Sequence, residues 1–287
     1  MVGKYGLILV CGALAASLFL QGCMISRVFL YHPTKTDLAP LAVDGWSLVE
    51  IHLEGESGSL KGVVKPPATE SAPWILFFGG NAMGLDAAKF CLQMLGKATE
   101  VGMVGFAYRG YDGSVGTPSE VDLLADTKRI WSYLSHDHGV KSNQIIVVGQ
   151  SLGTGIASYL SAMLSNQGQP PRQTLLLSPY TSMEQVFQDH AGWFPVRWLV
   201  ADSFRTENWI GEITSPLLLV HGERDRVIGI DHSERLYEKL KGRAPVEFLR
   251  LPGVSHNDIW ESRIALERII GWLWTPKDEI EKVKPIR

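Results

Sequence analysis

A hydroxyl becomes a nucleophile when a base takes its proton and an acid orients that base, so three residue types in neighbouring loops are the pattern to look for. Ser151 stands in Gly149-Gln150-Ser151-Leu152-Gly153, between the apolar run Ile145–Val148 and the helical segment Leu152–Leu164. Small flanking residues let a chain bend sharply from strand to helix and leave the hydroxyl standing clear. The start of the following helix also offers an N–H and a positive dipole end to an oxyanion. Gly-x-Ser-x-Gly is common by chance, and the signal lies in the strand before it and the helix after it.

Eight histidines compete for the base. His256 follows the last apolar run through Leu251-Pro252-Gly253-Val254-Ser255 and precedes a helix, which puts it in a loop at the right sheet edge. His221 is near a strand end but precedes Gly222 in a turn, the setting of a structural histidine. His32, His52, His136 and His138 are expected away from the site, His190 in an inserted segment and His232 at a helix start. Asp225 is the expected acid, four residues beyond the run Pro216–Val220 through His221-Gly222-Glu223-Arg224, with Glu223 the open alternative. Asp231 and Asp258 look like helix-start residues, a common structural use of Asp.

An oxyanion needs a second donor. Gly79-Gly80-Asn81-Ala82 follows Trp74–Phe78, and its glycines let backbone amides approach a ligand. The amides of Asn81 and Leu152 are expected to form the hole, with Gly80, Tyr111, Trp193 and Phe194 contacting substrate. No Gly-Lys-Ser/Thr or spaced Gly-x-Gly-x-x-Gly accompanies these glycines, so a phosphate loop is not the reading. Neither a metal nor an organic cofactor is expected.

The elements that must hold these residues are legible as a pattern. Two strand-like runs, Trp46–Glu54 and Ser59–Lys65, flank the turn Gly55-Glu56-Ser57-Gly58. Beyond Pro66-Pro67, short continuous apolar runs at Trp74–Phe78, Val101–Ala107, Ile145–Val148, Thr174–Leu177, Pro216–Val220 and Val246–Leu251 read as strands buried on both faces. Helical segments at about 85–98, 120–136, 152–164, 233–240 and 258–272 alternate with them. The expectation is an α/β fold with a mostly parallel, doubly wound sheet, an N-terminal antiparallel hairpin and crossovers of one hand. Sites in such sheets lie beyond the carboxyl ends of the strands.

One domain is expected over 46–275, with a small helical cap inserted at about 181–214 and a charged tail at 276–287. The cap segment carries Phe187, Trp193, Phe194, Trp198, Phe204 and Trp209. Such aromatics suit core packing, an apolar acyl or alcohol pocket, or a face toward a bilayer.

Among 287 residues, 45% are hydrophobic and 20% charged, which excludes a disordered, collagenous or multi-span membrane chain. A net charge of -3 gives no basic excess for nucleic acid. The three cysteines, Cys11, Cys23 and Cys91, cannot build a disulfide framework. Cys91 lies among apolar residues at helical spacing and is expected to be buried and inert.

Residues 1–22 have one charge, Lys4, then an apolar run from Tyr5 to Leu20, as a signal peptide does. Leu20-Gln21-Gly22-Cys23 resembles the lipobox of bacterial lipoproteins, which implies lipid on Cys23, a mature chain beginning there, a tether over 23–45 and a place in the cell envelope. Met24, where many such proteins retained at the inner membrane have aspartate, points to the outer membrane if the cell is Gram-negative. An uncut anchor stays open, because the 22 residues from Tyr5 to Ser26 are uncharged.

The strings Phe78-Gly79-Gly80-Asn81-Ala82, Tyr108-Arg109-Gly110-Tyr111, Gly116-Thr117-Pro118-Ser119-Glu120, Gly149-Gln150-Ser151-Leu152-Gly153, His221-Gly222-Glu223-Arg224-Asp225 and Ser255-His256-Asn257 occur in that order. From about 46 to 272 the chain thereby resembles the alpha/beta-hydrolases of the Bem46-like group, with the domain-containing types 13 and 17. That resemblance implies serine-hydrolase chemistry on esters or thioesters, in the chain order Ser151, Asp225, His256; the group's eukaryotic members include protein depalmitoylases. Two stretches depart from the group: Gly79 replaces its usual histidine, and Ala107 and Asp112 replace residues around its Tyr-Arg-Gly-Tyr string. The expected activity is a membrane-anchored serine hydrolase acting on small-molecule or acylated substrates. The alternatives are a serine peptidase of the same fold and a non-catalytic binding lipoprotein.

Overall fold

Strands form where the apolar runs are, and their order explains why those runs are continuous. The structure, a computed structural model, describes residues 26–96, 100–241 and 245–275. It contains one eight-stranded sheet: β1 (Ser47–His52), β2 (Ser59–Lys65), β3 (Trp74–Phe78), β4 (Gly102–Phe106), β5 (Ile145–Gln150), β6 (Gln173–Leu177), β7 (Leu217–Gly222) and β8 (Val246–Leu251). Their spatial order is β1-β2-β4-β3-β5-β6-β7-β8. β1 and β2 form an antiparallel hairpin, β2 pairs antiparallel with β4, and every later pairing is parallel.

The strands β3 to β7 are buried along their whole length, so both faces carry mainly apolar side chains. The edge strand β1 is mostly exposed and alternates in character instead. The helices are α1 (Leu85–Gly96), α2 (Glu120–Ser132), α3 (Leu152–Asn166), α4 (Met183–Ala191), the single turn α5 (Thr206–Trp209), α6 (Ile230–Leu240) and α7 (Arg263–Trp274). α1 packs on α7, while α2 packs on α3 and α3 on α5.

Serines start three helices by accepting a backbone N–H: Ser119 from Asp122, Ser182 from Gln185 and Ser262 from Ala265. Each such cap contributes about 1 kcal/mol. The cap at Ser262 also explains one difference from the sequence pattern. The segment expected as a single helix over 258–272 is a 3-10 turn, Asp258–Trp260, followed by a separately capped α7. Likewise the helix expected to reach 136 is α-helical to Ser132 and continues as a π turn over Tyr133–Asp137. The insertion after β6 is helical, as expected of a cap, and runs through α4, two 3-10 turns and α5 before β7.

The residues ahead of β1 pack onto the domain. Residues 26–30 form a helical turn, and Leu30, Tyr31, Leu41 and Trp46 join the buried core. Lys89 of α1 donates from Nζ to Leu41 O at 2.8 Å and sits over the Trp46 ring. Asp112, one of the departures from the group's pattern, ties this stretch down: its carboxylate accepts from the backbone N–H groups of Thr36 (2.8 Å) and Leu85 (2.6 Å). The expected leader, Cys23 and the tail over 276–287 lie outside the described residues. Among the described residues no helix is long and apolar enough to cross a membrane.

Candidate active site

β5 runs straight into α3, and the turn between them is held by two glycines that admit no alternative. A Cβ at Gly149 would lie 2.5 Å from Gly153 O, and one at Gly153 would lie 2.1 Å from Phe78 O, both backbone atoms that cannot swing away. Ser151, between them, takes φ 50°, ψ -120°, a backbone conformation that costs on the order of 1–3 kcal/mol. The bend is secured by Ser151 N donating to Leu177 O on β6 at 2.9 Å and by Thr154 N donating to Ser151 O at 2.9 Å.

Two other loops reach the same point. Ser151 Oγ lies 3.0 Å from His256 Nε2, and His256 Nδ1 lies 2.6 Å from Asp225 Oδ2. A carboxylate only accepts, so the proton between His256 and Asp225 sits on Nδ1, leaving Nε2 to accept from the serine hydroxyl. Gly222 makes this meeting possible. A Cβ there would stand 2.3 Å from Val254 O, and its absence lets Glu223 N donate to Leu251 O and Arg224 N to Val254 O, both at 3.0 Å. The loops bearing Asp225 and His256 are thus zipped together by backbone bonds. Glu223, the alternative acid, is exposed and takes no part.

Asp225 is saturated with donors. Its Oδ1 accepts from Val227 N and Ile228 N, each at 2.9 Å, and its Oδ2 faces both His256 and His221 Nε2, the latter at 3.3 Å. Burial alone would raise its pKa, but the hydrogen bonds from His221 and His256 outweigh it and hold the carboxyl well below the usual range. His221 is itself fully buried, with Ser233 Oγ at 2.6 Å from Nδ1 and Ile228 O at 2.8 Å from Nε2. It steadies the acid. The His256 loop is braced by Trp260, whose Nε1 donates to Gln150 Oε1 at 2.9 Å and whose ring meets Phe77 edge-on.

The glycine loop after β3 lies opposite. A Cβ on Gly80 would touch Ser151 Cβ at 3.4 Å, so this backbone borders the nucleophile directly. Tyr108 donates to Gly79 O at 2.6 Å and backs the loop from behind. A side chain at Gly79 would point toward Met83, so losing the group's histidine exchanges one wall contact and leaves the backbone path intact. Leu152 is the first residue of α3, and its N–H has no partner within the helix. Asn81 also lines the cavity that contains Ser151 and Leu152, so the glycine loop and the start of α3 both border it.

That cavity has a volume of about 750 Å³ and is walled mainly by apolar side chains. Met183, Val186, Phe187, His190 and Ala191 of α4 face it, together with Val196, Leu199, Val200, Val227 and Ile228. Two expected substrate contacts lie elsewhere. Trp193 is 92% exposed and Phe194 55%, paired edge to face with each other just after α4 and not part of the cavity wall. Gly192, at φ 60°, ends the helix and carries both out of its register. Tyr111 is fully buried and touches Asn81 through its hydroxyl at 3.0 Å, a support for the loop and not a wall. The spacing i, i+3, i+4, i+7, i+8 in α4 was the signal that names the true wall. A second correction concerns His32, expected away from the site: its ring Nδ1 lies 2.7 Å from Asn81 Nδ2.

One group of potential metal ligands exists among the described residues, Asp189, Asp231 and His232. Its charges are already met within the protein, since Arg235 lies 2.9 Å from Asp231 and His232 Nε2 lies 3.0 Å from Asp189. Cys91 is buried in α1, and desolvation pushes its thiol up to about 12.

Comparison with known proteins places this geometry. The Serine hydrolase (FSH1) family matches residues 128–254, a stretch that includes Ser151 and Asp225. An uncharacterized protein of Mycobacterium tuberculosis is 32% identical over 205 residues, covering 71% of this chain and 70% of the relative. The human alpha/beta hydrolase domain-containing protein 17B is 33% identical over 196 residues, covering 68% of this chain and 64% of that protein. Among solved structures, a Pyrococcus furiosus esterase superposes with a TM-score of 0.65 at 17% identity, over 85% of this chain and 96% of its own. An alpha-beta hydrolase from Vibrio vulnificus does so with 0.64 at 24%, over 83% and 81%. The last two are likenesses of fold.

Proposed function

The chain belongs to the alpha/beta-hydrolase family and is a hydrolase, and from that premise we propose that it is a membrane-tethered serine hydrolase that cleaves carboxylic esters or thioesters of apolar acyl groups. The observation that carries this reading is the hydrogen-bonded line Ser151–His256–Asp225 at the base of an apolar cavity. In the proposed cycle Ser151 Oγ attacks the acyl carbonyl while His256 Nε2 takes its proton. Asp225, kept ionised by its donors, stabilises the imidazolium that results. The developing oxyanion is met by the backbone N–H groups of Asn81 and Leu152. His256 then gives its proton to the leaving alkoxide or thiolate, an acyl-Ser151 ester remains, and water activated by the same histidine releases the acid.

The apolar wall supports an acyl group over a peptide backbone, because a peptide would bury N–H and C=O groups there without partners. The tether is proposed from the sequence: lipid on Cys23, with the domain outside the cytoplasm in the cell envelope, at the outer membrane if the cell is Gram-negative. The test is labelling by a fluorophosphonate probe. Wild type should label and Ser151→Ala should not, with hydrolysis of p-nitrophenyl esters falling about 10⁴-fold or more. Equal labelling of the two proteins, or turnover of peptide amides in preference to esters, overturns the reading.

A further inference from the structure

The stretch between the apolar leader and β1 reads in the sequence as a spacer, yet it is bonded to both sides of the site. On the cap side, Arg27 donates to the Asp202 carboxylate from Nε (2.8 Å) and Nη2 (3.1 Å), and the Tyr31 hydroxyl adds a third bond at 3.1 Å. Asp202 is 2% exposed, so a buried cap carboxylate is neutralised by this segment. On the other side, His32 N–H lies 2.9 Å from Asn81 Oδ1 and 2.9 Å from the Tyr111 hydroxyl oxygen. Asn81 Oδ1 also accepts from Ala82 N at 2.9 Å and from the Tyr111 hydroxyl at 3.0 Å. Donors converging on one oxygen fix the orientation of the amide, so Asn81 Nδ2 faces the His32 ring. His32 therefore accepts at Nδ1 and carries its proton on Nε2. Between these two anchors, Phe29 and Leu30 form part of the cavity wall that also contains Ser151. Phe29 is 65% exposed while bordering the cavity, which places it at the mouth.

We infer that residues 26–32 are a strap that completes the active site. Phe29 and Leu30 are specificity-determining residues for the far part of the acyl chain. His32 is a positioning residue that holds Asn81, whose backbone N–H serves the oxyanion. The substrate class this selects is a medium or long unbranched acyl ester or thioester, whose chain would run from Ser151 along an apolar cavity of about 750 Å³ to Phe29 and Leu30. The inference rests on the hydrolase reading above and adds to it where specificity resides. A short acyl chain ends before the strap, so the strap acts on the ratio of long-chain to short-chain turnover. His32 acts on the chemical step, because a displaced oxyanion donor is felt in the transition state and not in ground-state binding.

The experiment uses the full chain with p-nitrophenyl esters from butyrate to palmitate, each variant labelled in parallel with the fluorophosphonate probe. Phe29→Ala should lower the palmitate-to-butyrate ratio of kcat/KM about tenfold, while Val121→Ala, at an exposed residue of α2 outside the strap and the cavity, leaves the ratio unchanged. His32→Ala should lower kcat about tenfold for every chain length with KM unchanged. His32→Gln, whose side-chain oxygen can accept from Asn81 Nδ2, should recover most of that loss. A ratio that does not move in Phe29→Ala, or that moves equally in Val121→Ala, overturns the strap as a specificity element. A His32→Ala loss confined to KM, or one that glutamine does not rescue, overturns its positioning role. Labelled wild type with either of these results leaves the hydrolase reading standing, whereas unlabelled and inactive wild type removes both.

Discussion

At the scale of the residue, Asp225 carries the most weight for its size. Four donors converge on one carboxylate, two of them imidazoles, and the resulting stabilisation of the anion exceeds the penalty of burial. A carboxyl held below its unfolded value stabilises the fold at pH values above about 4, and that contribution is lost as pH falls through the unfolded and then the folded pKa. Asp225→Asn should therefore flatten the acid side of a Tm-against-pH curve below about pH 4. At neutral pH the same change should lower kcat by about 10⁴-fold, because an amide can present a donor to Nδ1 and so stabilise the wrong tautomer. Calorimetry across acid pH together with ester kinetics checks both, and a variant as acid-sensitive as wild type would refute the carboxylate's share. The choice of Asp225 over Glu223 was legible only as a preference in the sequence. The tertiary reason is that the strand-end turn points residue 225 inward and leaves residue 223 in solvent.

At the scale of the element, the turns after β3, β5, β7 and β8 do the positioning. Each ends a parallel strand at the same sheet edge, so residues as far apart as 151 and 256 converge without any local attraction between them. Gly222 tests this dependence. Gly222→Ala would set a Cβ against Val254 O and force the β7 and β8 turns apart, separating Asp225 from His256. We expect a stability loss of about 1–3 kcal/mol by urea denaturation. A catalytic loss of about 10²-fold should accompany it, the cost of roughly 1 Å of misplacement. Unchanged kcat in a folded Gly222→Ala protein would count against the loop contact as the positioning device. The cap teaches the complementary lesson. Aromatic content drew attention to Trp193 and Phe194, but helix periodicity decides which side chains face inward, and α4 ends at Gly192 before either of them.

At the scale of the whole molecule, the strap joins the proposed anchor to the chemistry. The proposed lipid-bearing Cys23 is followed within seven residues by Phe29 and Leu30 at the cavity, so a chain anchored there has its acyl site close to the lipid surface. The expected outcome for protein recovered from membranes is a first residue Cys23 bearing lipid, read by intact-mass and peptide mass spectrometry. An intact Met1 or an unmodified Cys23 would overturn the lipoprotein proposal and leave the hydrolase untouched. Cys91 belongs to neither function, since burial keeps its thiol protonated.

By itself the sequence determined the strands, the helices, their alternation and the short strings at the strand ends. Those are local properties: apolar runs without polar breaks must be buried on both faces, and a Gly-x-Ser-x-Gly turn states its own conformation through what its glycines exclude. Only the tertiary structure decided that His32, with no element or motif around it, reaches Asn81, and that His221 shares Asp225 with His256. Long-range partnerships depend on the sheet's strand order and on backbone bonds between loops, and neither leaves a periodic trace in the chain. The wall of the cavity is divided between the two sources, because α4 announces its apolar stripe by spacing while Phe29 and Leu30 join it only through the bonds that fold the strap across the site.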